Sequence, residues 1–244
     1  ENYNVLYITC EMAEEKIAER IDANLLNVNI RDIAELPEVL YSSKVNEISR
    51  KTQGKLIIKE YPTASAHAGH FKALLSDLSL KKDFKPDIIF IDYLNICASA
   101  RYKGAIVNSY TYVKAIAEEL RGLAVEHNLP IVSATQTTRS GFGSSDPDLT
   151  DTSESFGLPA TADLMFALVS NEELEQQGRI MVKQLKNRYN DPTSSRKFMV
   201  GIDRSKMRLY DVADSTSVID VEEEEMPQFS ETQNRLSKFA EWNV

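Results

Sequence analysis

One short apolar run constrains the fold of this chain more than any other sequence feature. The run covers residues 88–91, follows Pro86 and ends at Asp92. A continuous apolar run of this length is typical of a buried parallel strand. Because chemistry in open α/β sheets takes place beyond the carboxyl ends of the strands, Asp92 is predicted to lie at the functional edge of a sheet. A lone carboxylate there is suited to hold Mg²⁺ for phosphate transfer, although it is also a common strand-end cap.

Strand-like and helix-like patterns alternate along most of the chain. Runs typical of strands occur at 5–9, 55–59, 88–92 and 130–136, and helical apolar spacing occurs at 12–26, 65–80 and 107–127. Three strand-like runs then follow one another at 162–170, 178–189 and 197–203, with a short one near 207–210. This order predicts an α/β fold with a mainly parallel twisted sheet flanked by helices and antiparallel strands at its C-terminal edge.

Composition limits the class of protein. With 244 residues, of which 42% are hydrophobic, the chain can bury a sizeable core. It contains no apolar run near the roughly 20 residues of a membrane span, and its first residues lack a signal-peptide pattern. The two cysteines, Cys10 and Cys97, lie in or beside apolar runs and are typical of reduced thiols. These features predict a cytoplasmic protein that does not enter a membrane.

Negative charge is concentrated near the C-terminal end of the sequence. The formal net charge is −9, but residues 211–225 contain seven acids and no base, so the rest of the chain carries about −2. Such a body is compatible with a local surface for nucleic acid, although it is not a general polyanion binder. We expect a core domain at 1–212 and an acidic, flexible tail at 213–244.

Four segments carry a resemblance to a known family: TCEM at 9–12, IIFIDYLN at 88–95, ATQTTRS at 134–140 and KQLKNRYND at 183–191. Their order and spacing resemble the RecA-like motor domain of the DnaB-family hexameric replicative DNA helicases, and the loops and tail are most similar to members from T-even-like bacteriophages. The resemblance covers about residues 1–212. It implies a RecA-like fold, hydrolysis of ATP or another NTP with Mg²⁺, binding of single-stranded DNA, and a homo-oligomeric, hexameric ring in the host cytoplasm.

The resemblance assigns roles to five residues. Glu11 would orient or deprotonate the attacking water, Asp92 would hold Mg²⁺, and Gln136 would hydrogen-bond the γ-phosphate. Lys186 and Arg188, which share one face of a strand, would form an arginine-finger pair that reaches the nucleotide of a neighbouring subunit. The alternatives are a helix N-terminal acid for Glu11, an ordinary polar strand end for Gln136, and a solvated basic edge for the pair.

In the same resemblance, the long polar loop at 137–159 corresponds to a DNA-contacting loop that faces the central channel. Its candidate contacts are Arg139, Ser153, Glu154, Ser155 and Phe156. Bacterial members have an arginine in the place of Ser153, which shifts the expected phosphate contacts to backbone amides and Arg139. The alternative is a mobile surface loop.

One motif of the family does not occur in this sequence. The Gly-rich phosphate loop GxxxxGK[ST] lies upstream of the first strand in this family, so we expect a fragment that binds nucleotide poorly and is inactive alone. The tail is expected to dock a primase or a helicase loader. The favoured function is part of a replicative helicase. The alternatives are a RecA/RadA-like recombination ATPase, which binds single-stranded DNA without unwinding, and a regulatory ATPase without DNA.

Overall fold

The computed structural model describes residues 2–102, 107–137, 157–190 and 196–212. The candidate DNA contacts lie outside the described residues; they are Arg139, Ser153, Glu154, Ser155 and Phe156. The acidic tail at 213–244 lies outside them as well. Within the described ranges, no helix combines the length and the apolar character needed to cross a membrane.

The strands and helices predicted from periodicity are confirmed, with ends shifted by three residues or fewer. The strands are β1 (Val5–Thr9), β2 (Leu56–Glu60), β3 (Ile88–Asp92), β4 (Ile131–Ser133), β5 (Leu164–Val169), β6 (Arg179–Asn187), β7 (Lys197–Asp203) and β8 (Arg208–Asp211). The helices are α1 (Glu14–Leu26), α2 (Glu38–Lys51), α3 (Ala68–Lys82), α4 (Ser109–His127), α5 (Gly157–Thr161) and α6 (Glu172–Gln176). Short 3-10 helices cover Ile30–Glu35, Leu94–Ile96 and Arg204–Lys206.

The first four strands form a parallel sheet in the order β2-β1-β3-β4. In the register of β1 and β3, Thr9 lies opposite Asp92, so the two strands end side by side. Alternate residues of these strands face a common core and are at most 2% exposed: Leu6, Ile8, Ile89 and Ile91. The α/β fold predicted from alternating strands and helices is therefore confirmed, and β3, one of the two inner strands of the sheet, carries Asp92 at its carboxyl end.

Helices α3 and α4 contribute the other half of this core. In α3 the buried residues are Phe71, Leu75 and Leu78, and the four- and three-residue steps between them place all three on one helix face. The ring of Phe71 is fully buried and packs edge-on against Tyr61, with 5.6 Å between ring centroids. α4 presents a similar buried face, formed mainly by Val113, Ile116, Leu120 and Leu123. These faces fix the sheet edge relative to both helices.

The last four strands form an antiparallel sheet in the order β5-β6-β7-β8. The predicted antiparallel strands are confirmed, but they form a sheet of their own. Within the described residues, β4 pairs only with β3, and β5 pairs only with β6. Leu158 of α5 is buried in the main core, and Met165 of β5 packs against that core. The second sheet is therefore attached to the first through α5 and β5.

Candidate functional site

Asp92 lies at the carboxyl end of β3, and the neighbouring strand holds it there. The phenol hydroxyl of Tyr7 donates a hydrogen bond to Asp92 Oδ2 at 3.0 Å. The amide of Cys10 donates to the Asp92 carbonyl oxygen at 2.8 Å. The carboxylate therefore has a fixed position at the sheet edge.

The surroundings of the Tyr7 phenol keep it protonated, so that it donates the hydrogen bond to Asp92. Burial of the phenol, followed by the negative charge of Asp92, raises the pKa of Tyr7 above its usual value. Tyr7 thus stays protonated at neutral pH and remains a donor to the carboxylate. Its ring is stacked beside Phe90 at 6.3 Å between centroids, which further fixes the phenol.

Glu11 lies two residues beyond the end of β1, in a turn whose backbone is held on both sides. The hydroxyl of Thr9 donates to the Met12 carbonyl oxygen at 2.8 Å, and the Met12 amide donates back to Thr9 Oγ1 at 3.0 Å. The hydroxyl of Thr63 donates to the Cys10 carbonyl oxygen at 2.7 Å. Glu11 itself is exposed. Because β1 and β3 end side by side, this turn presents Glu11 at the same sheet edge as Asp92.

Gln136 reaches the same sheet edge from the segment that follows β4. β4 ends at Ser133, three residues earlier than predicted, so Gln136 does not end the strand. After β4 the chain bends toward β3, since the Leu94 amide donates to the Ala134 carbonyl oxygen at 3.3 Å. The exposed side-chain amide of Gln136 donates to the hydroxyl of Tyr93 at 3.2 Å. The structure therefore brings Glu11, Asp92 and Gln136 to one edge of the parallel sheet.

Lys186 and Arg188 lie elsewhere, at the end of β6 in the antiparallel sheet. Lys186 Nζ donates to the carbonyl oxygen of Pro159 at 2.5 Å, and Arg188 Nη2 donates to that of Ala160 at 2.6 Å. Arg188 Nη1 forms an ion pair with Asp163 Oδ1 at 2.9 Å. The two cations therefore lie on one face, beside α5, and their described hydrogen bonds do not go to the edge that carries Asp92.

The charges around this pair affect one another. Burial, followed by the nearby positive charge of Arg188, lowers the pKa of Lys186. The hydrogen bond from Arg121, with a further contribution from Arg188, lowers the pKa of Asp163 below its usual value. Asp163 is therefore ionised at neutral pH between two guanidinium groups.

Sequence reasoning did not identify Tyr7, Arg121 or Asp163. The only signal for Tyr7 was its two-residue spacing from Thr9, which places both on one face of β1. No local pattern links Arg121 to Asp163, which lie 42 residues apart. The contact between Tyr7 and Asp92 and the contact between Arg121 and Asp163 both depend on which elements become neighbours in the folded protein.

The donor set at the sheet edge fits Mg²⁺ bound together with a nucleotide. No group of three or more His, Cys, Asp or Glu side chains within the described ranges is arranged to hold a metal ion. A cage of protein ligands is not required, because Mg²⁺ in phosphate-transfer sites is bound through one or two carboxylates, with phosphates and waters completing its shell. Asp92, oriented by Tyr7, can serve as such a carboxylate.

Sequence comparison places this chain among known helicases. Residues 1–204 match the DnaB-like helicase C-terminal domain family. The chain is 44% identical over 224 residues to the DnaB-like replicative helicase of Enterobacteria phage T4, an alignment that covers 91% of this chain and 47% of that protein. It is 27% identical over 195 residues to a probable plasmid replicative DNA helicase of Chlamydia trachomatis, covering 78% of this chain and 40% of the relative. The chain thus spans about half the length or less of these curated relatives.

Solved structures agree on the fold. One, described as a DnaB-like replicative helicase and its interactions with primase, superposes with a TM-score of 0.70 at 18% identity, covering 86% of this chain and 51% of that one. A second, described as an ATPase domain, superposes with a TM-score of 0.69 at 17% identity, covering 86% of this chain and 75% of that one. The predicted RecA-like fold is thereby confirmed. Together, the family match over residues 1–204 and the similarity to the phage protein show that this chain belongs to the DnaB-like helicase C-terminal domain family.

Proposed function

We propose that this chain is part of a replicative DNA helicase that couples NTP hydrolysis at subunit interfaces to translocation on single-stranded DNA and duplex unwinding. The observation that carries the proposal is the meeting of Glu11, Asp92 and Gln136 at one edge of the parallel sheet. Family membership favours the helicase over a recombination ATPase or a regulatory ATPase without DNA.

Each residue at this edge has a chemical task in the proposed reaction. Asp92 would hold Mg²⁺, which when bound would neutralise charge on the phosphates. Tyr7 would keep the carboxylate oriented. Glu11, exposed on its turn, would orient the attacking water or accept its proton. Gln136 would exchange its hydrogen bond to Tyr93 for one to the γ-phosphate, so that loss of the phosphate changes the position of the loop that follows.

Lys186 and Arg188 would act on the nucleotide bound by a neighbouring subunit. Support comes from their location, because they lie on the antiparallel sheet beside α5 and their hydrogen bonds to described residues do not go to the Asp92 edge. The side chain of Arg188 remains 41% exposed despite its contacts, so it is accessible to a partner. Arginine fingers act through electrostatics and are worth roughly 10³–10⁵ in rate. This division of the site requires a ring, which we propose is a homohexamer.

The phosphate loop would come from a segment outside residues 1–244. Side chains on one face of β5 are exposed although they are apolar: Leu164 (46%), Phe166 (46%) and Leu168 (66%). On β4, Val132 is 45% exposed. Three such side chains on one strand face form an exposed apolar patch, and patches of this kind mark surfaces that contact another segment or partner. A further strand and helix next to β4 and β5 would cover them. Because residues 1–244 do not contain the phosphate loop, we expect that they do not hydrolyse nucleotide alone.

The remaining parts of the proposal concern partners. Single-stranded DNA would contact Arg139, Ser153, Glu154, Ser155 and Phe156. The acidic tail at 213–244 would dock a primase or a helicase loader. The solved DnaB-like relative is described together with its interactions with primase, which supports a primase as the first partner to test. We place the full-length protein in the host cytoplasm.

Mixed rings of the full-length protein test the proposal. Glu11→Gln is expected to abolish turnover while nucleotide binding persists, and Arg188→Ala is expected to lower turnover strongly. In rings that contain both variants, an interface with Glu11 from one subunit and Arg188 from the other is complete. Mixing is therefore expected to recover part of the hydrolysis, measured as phosphate release. Absence of recovery in rings shown to co-assemble would contradict action between subunits, and unchanged turnover in Glu11→Gln would remove Glu11 from the mechanism.

A further inference from the structure

Asp163 joins two arginines that come from distant parts of the chain. Its Oδ2 accepts from Arg121 Nη1 at 2.7 Å, and its Oδ1 accepts from Arg188 Nη1 at 2.9 Å. We call Arg121, Asp163 and Arg188 the Asp163 clamp. Arg121 and Arg188 both line an open depression of about 560 Å³ on the protein surface. The clamp is therefore accessible from outside while its carboxylate is occupied on both oxygens.

Backbone contacts tie the same three residues to fixed elements. The Arg188 amide donates to the Asp163 carbonyl oxygen at 2.9 Å. Arg121 Nη1 also donates to the carbonyl oxygen of Thr161, at 2.9 Å, and Arg188 Nη2 donates to that of Ala160. The clamp thus connects α4, the end of α5 and the end of β6. Arg121 lies in α4, and Asp163 lies in the short link between α5 and β5. Arg188 follows the last residue of β6.

Arg121 provides the rigid end of the clamp. It belongs to the 19-residue helix α4, and its neighbours Leu120 and Leu123 are buried in the main core. A guanidinium anchored on such a helix fixes the carboxylate that it contacts. That carboxylate then restricts the long side chain of Arg188, which would otherwise populate several rotamers.

We propose that Asp163 and Arg121 are positioning residues that hold the Arg188 guanidinium in the orientation it needs to reach the phosphates bound by a neighbouring subunit. The inference rests on the finger role proposed above. Arg188 has five N–H donors. Among the described residues, its side chain uses two of them, for Asp163 and Ala160, which leaves others for phosphate oxygens.

Charge explains why the clamp needs two arginines. A carboxylate paired with Arg188 alone would neutralise the positive charge on which a finger depends. Arg121 balances Asp163, and with Lys186 beside it the cluster remains cationic. The lowered pKa of Asp163 is consistent with this balance, because it keeps the carboxylate ionised at neutral pH.

Steady-state hydrolysis by the full-length oligomer tests the inference through four proteins: the wild type, Asp163→Asn, Arg188→Ala and the double variant. Asp163→Asn is expected to lower kcat about three- to tenfold with little change in KM. Without the carboxylate, the Arg188 side chain is not held in place before the reaction, and the entropy cost of ordering it adds to the barrier of the catalytic step. In the Arg188→Ala background the same substitution is expected to have no further effect. Asp77→Asn is the matched control, because it removes an exposed carboxylate that pairs with Lys81 on α3.

Each outcome of this experiment has one interpretation. If Arg188→Ala leaves kcat unchanged, the finger role fails, and the positioning role fails with it. If Arg188→Ala lowers kcat but Asp163→Asn does not, or if the two effects multiply in the double variant, the positioning role alone is overturned. If Asp163→Asn fails to assemble, Arg121→Gln takes its place. It is expected to show the same loss of kcat and no further loss in the Arg188→Ala background. An unchanged kcat in Arg121→Gln, or a further loss in the double variant, overturns the inference.

Discussion

The hydrogen bond between Tyr7 and Asp92 leads to a quantitative prediction for Tyr7→Phe. The substitution removes one hydroxyl and leaves the ring that lies beside Phe90. Hydrogen bonds to charged groups contribute about 1.5–3 kcal/mol, and the lower end applies here because Tyr7 is only half-buried. Without the donor, binding of Mg²⁺ must itself orient the Asp92 carboxylate.

The expected size of the effect follows from this energy. A difference of about 1.4 kcal/mol corresponds to a tenfold change in an equilibrium constant, and loss of an outer-shell partner typically lowers metal affinity about 10- to 100-fold. We therefore expect that the free Mg²⁺ concentration for half-maximal NTP hydrolysis rises about tenfold in Tyr7→Phe. Since the pKa of Tyr7 is raised, the wild-type bond is intact below about pH 10, the usual pKa of tyrosine, and is lost only as the pH rises through the higher folded value.

The assay is NTP hydrolysis by the full-length oligomer at saturating nucleotide, titrated with Mg²⁺. Tyr41→Phe is the matched control, because Tyr41 donates a similar hydrogen bond to Asp22 Oδ2, at 2.7 Å, between α2 and α1. Its Mg²⁺ requirement is expected to match the wild type. An unchanged requirement in Tyr7→Phe, or an equal shift in Tyr41→Phe, would refute the idea that Tyr7 orients a metal-binding carboxylate.

Two further predictions concern stability. Phe71→Ala is expected to lower the free energy of unfolding by about 3–5 kcal/mol, measured by urea denaturation, because the ring is fully buried; Leu80→Ala, at a side chain 84% exposed on the same helix, should stay within about 0.5 kcal/mol of the wild type. The Glu60 amide, and then Lys59, lower the pKa of Glu14, so its contribution to stability is present at neutral pH and is lost as the pH falls below about 4.3. Glu14→Gln should flatten this acid dependence of the unfolding midpoint, with Glu15→Gln as the matched control, and an unchanged profile would contradict the assignment.

Local patterns were sufficient to predict most of the secondary structure. β1 and β7 have the predicted ends, because the apolar runs that define them are bounded by polar residues in the sequence itself. The shared edge of Glu11, Asp92 and Gln136 was also predictable, since the carboxyl ends of neighbouring parallel strands meet at one edge of a sheet. Their catalytic roles, and those of Lys186 and Arg188, stay predictions.

Periodicity failed where the end of an element depends on its neighbours. The strand predicted to reach Gln136 ends at Ser133, because β3 offers partners only for Ile131–Ser133 and Leu94 then bonds the Ala134 carbonyl oxygen. The separation into two sheets was likewise invisible in the sequence. Each strand pattern predicts a strand, but it does not identify which edge that strand will pair with.

The sequence by itself determined the order of strands and helices, the buried faces and the sheet edge at which Asp92 lies. Only the tertiary structure decided which side chains hold the site residues. Tyr7 and Asp92 lie 85 residues apart, and Arg121 and Asp163 lie 42 apart. A periodic pattern assigns a side chain to a face, but a hydrogen bond requires two atoms to approach within about 3 Å. That approach is set by strand register and by the packing of helices on the sheet, which no local segment encodes alone.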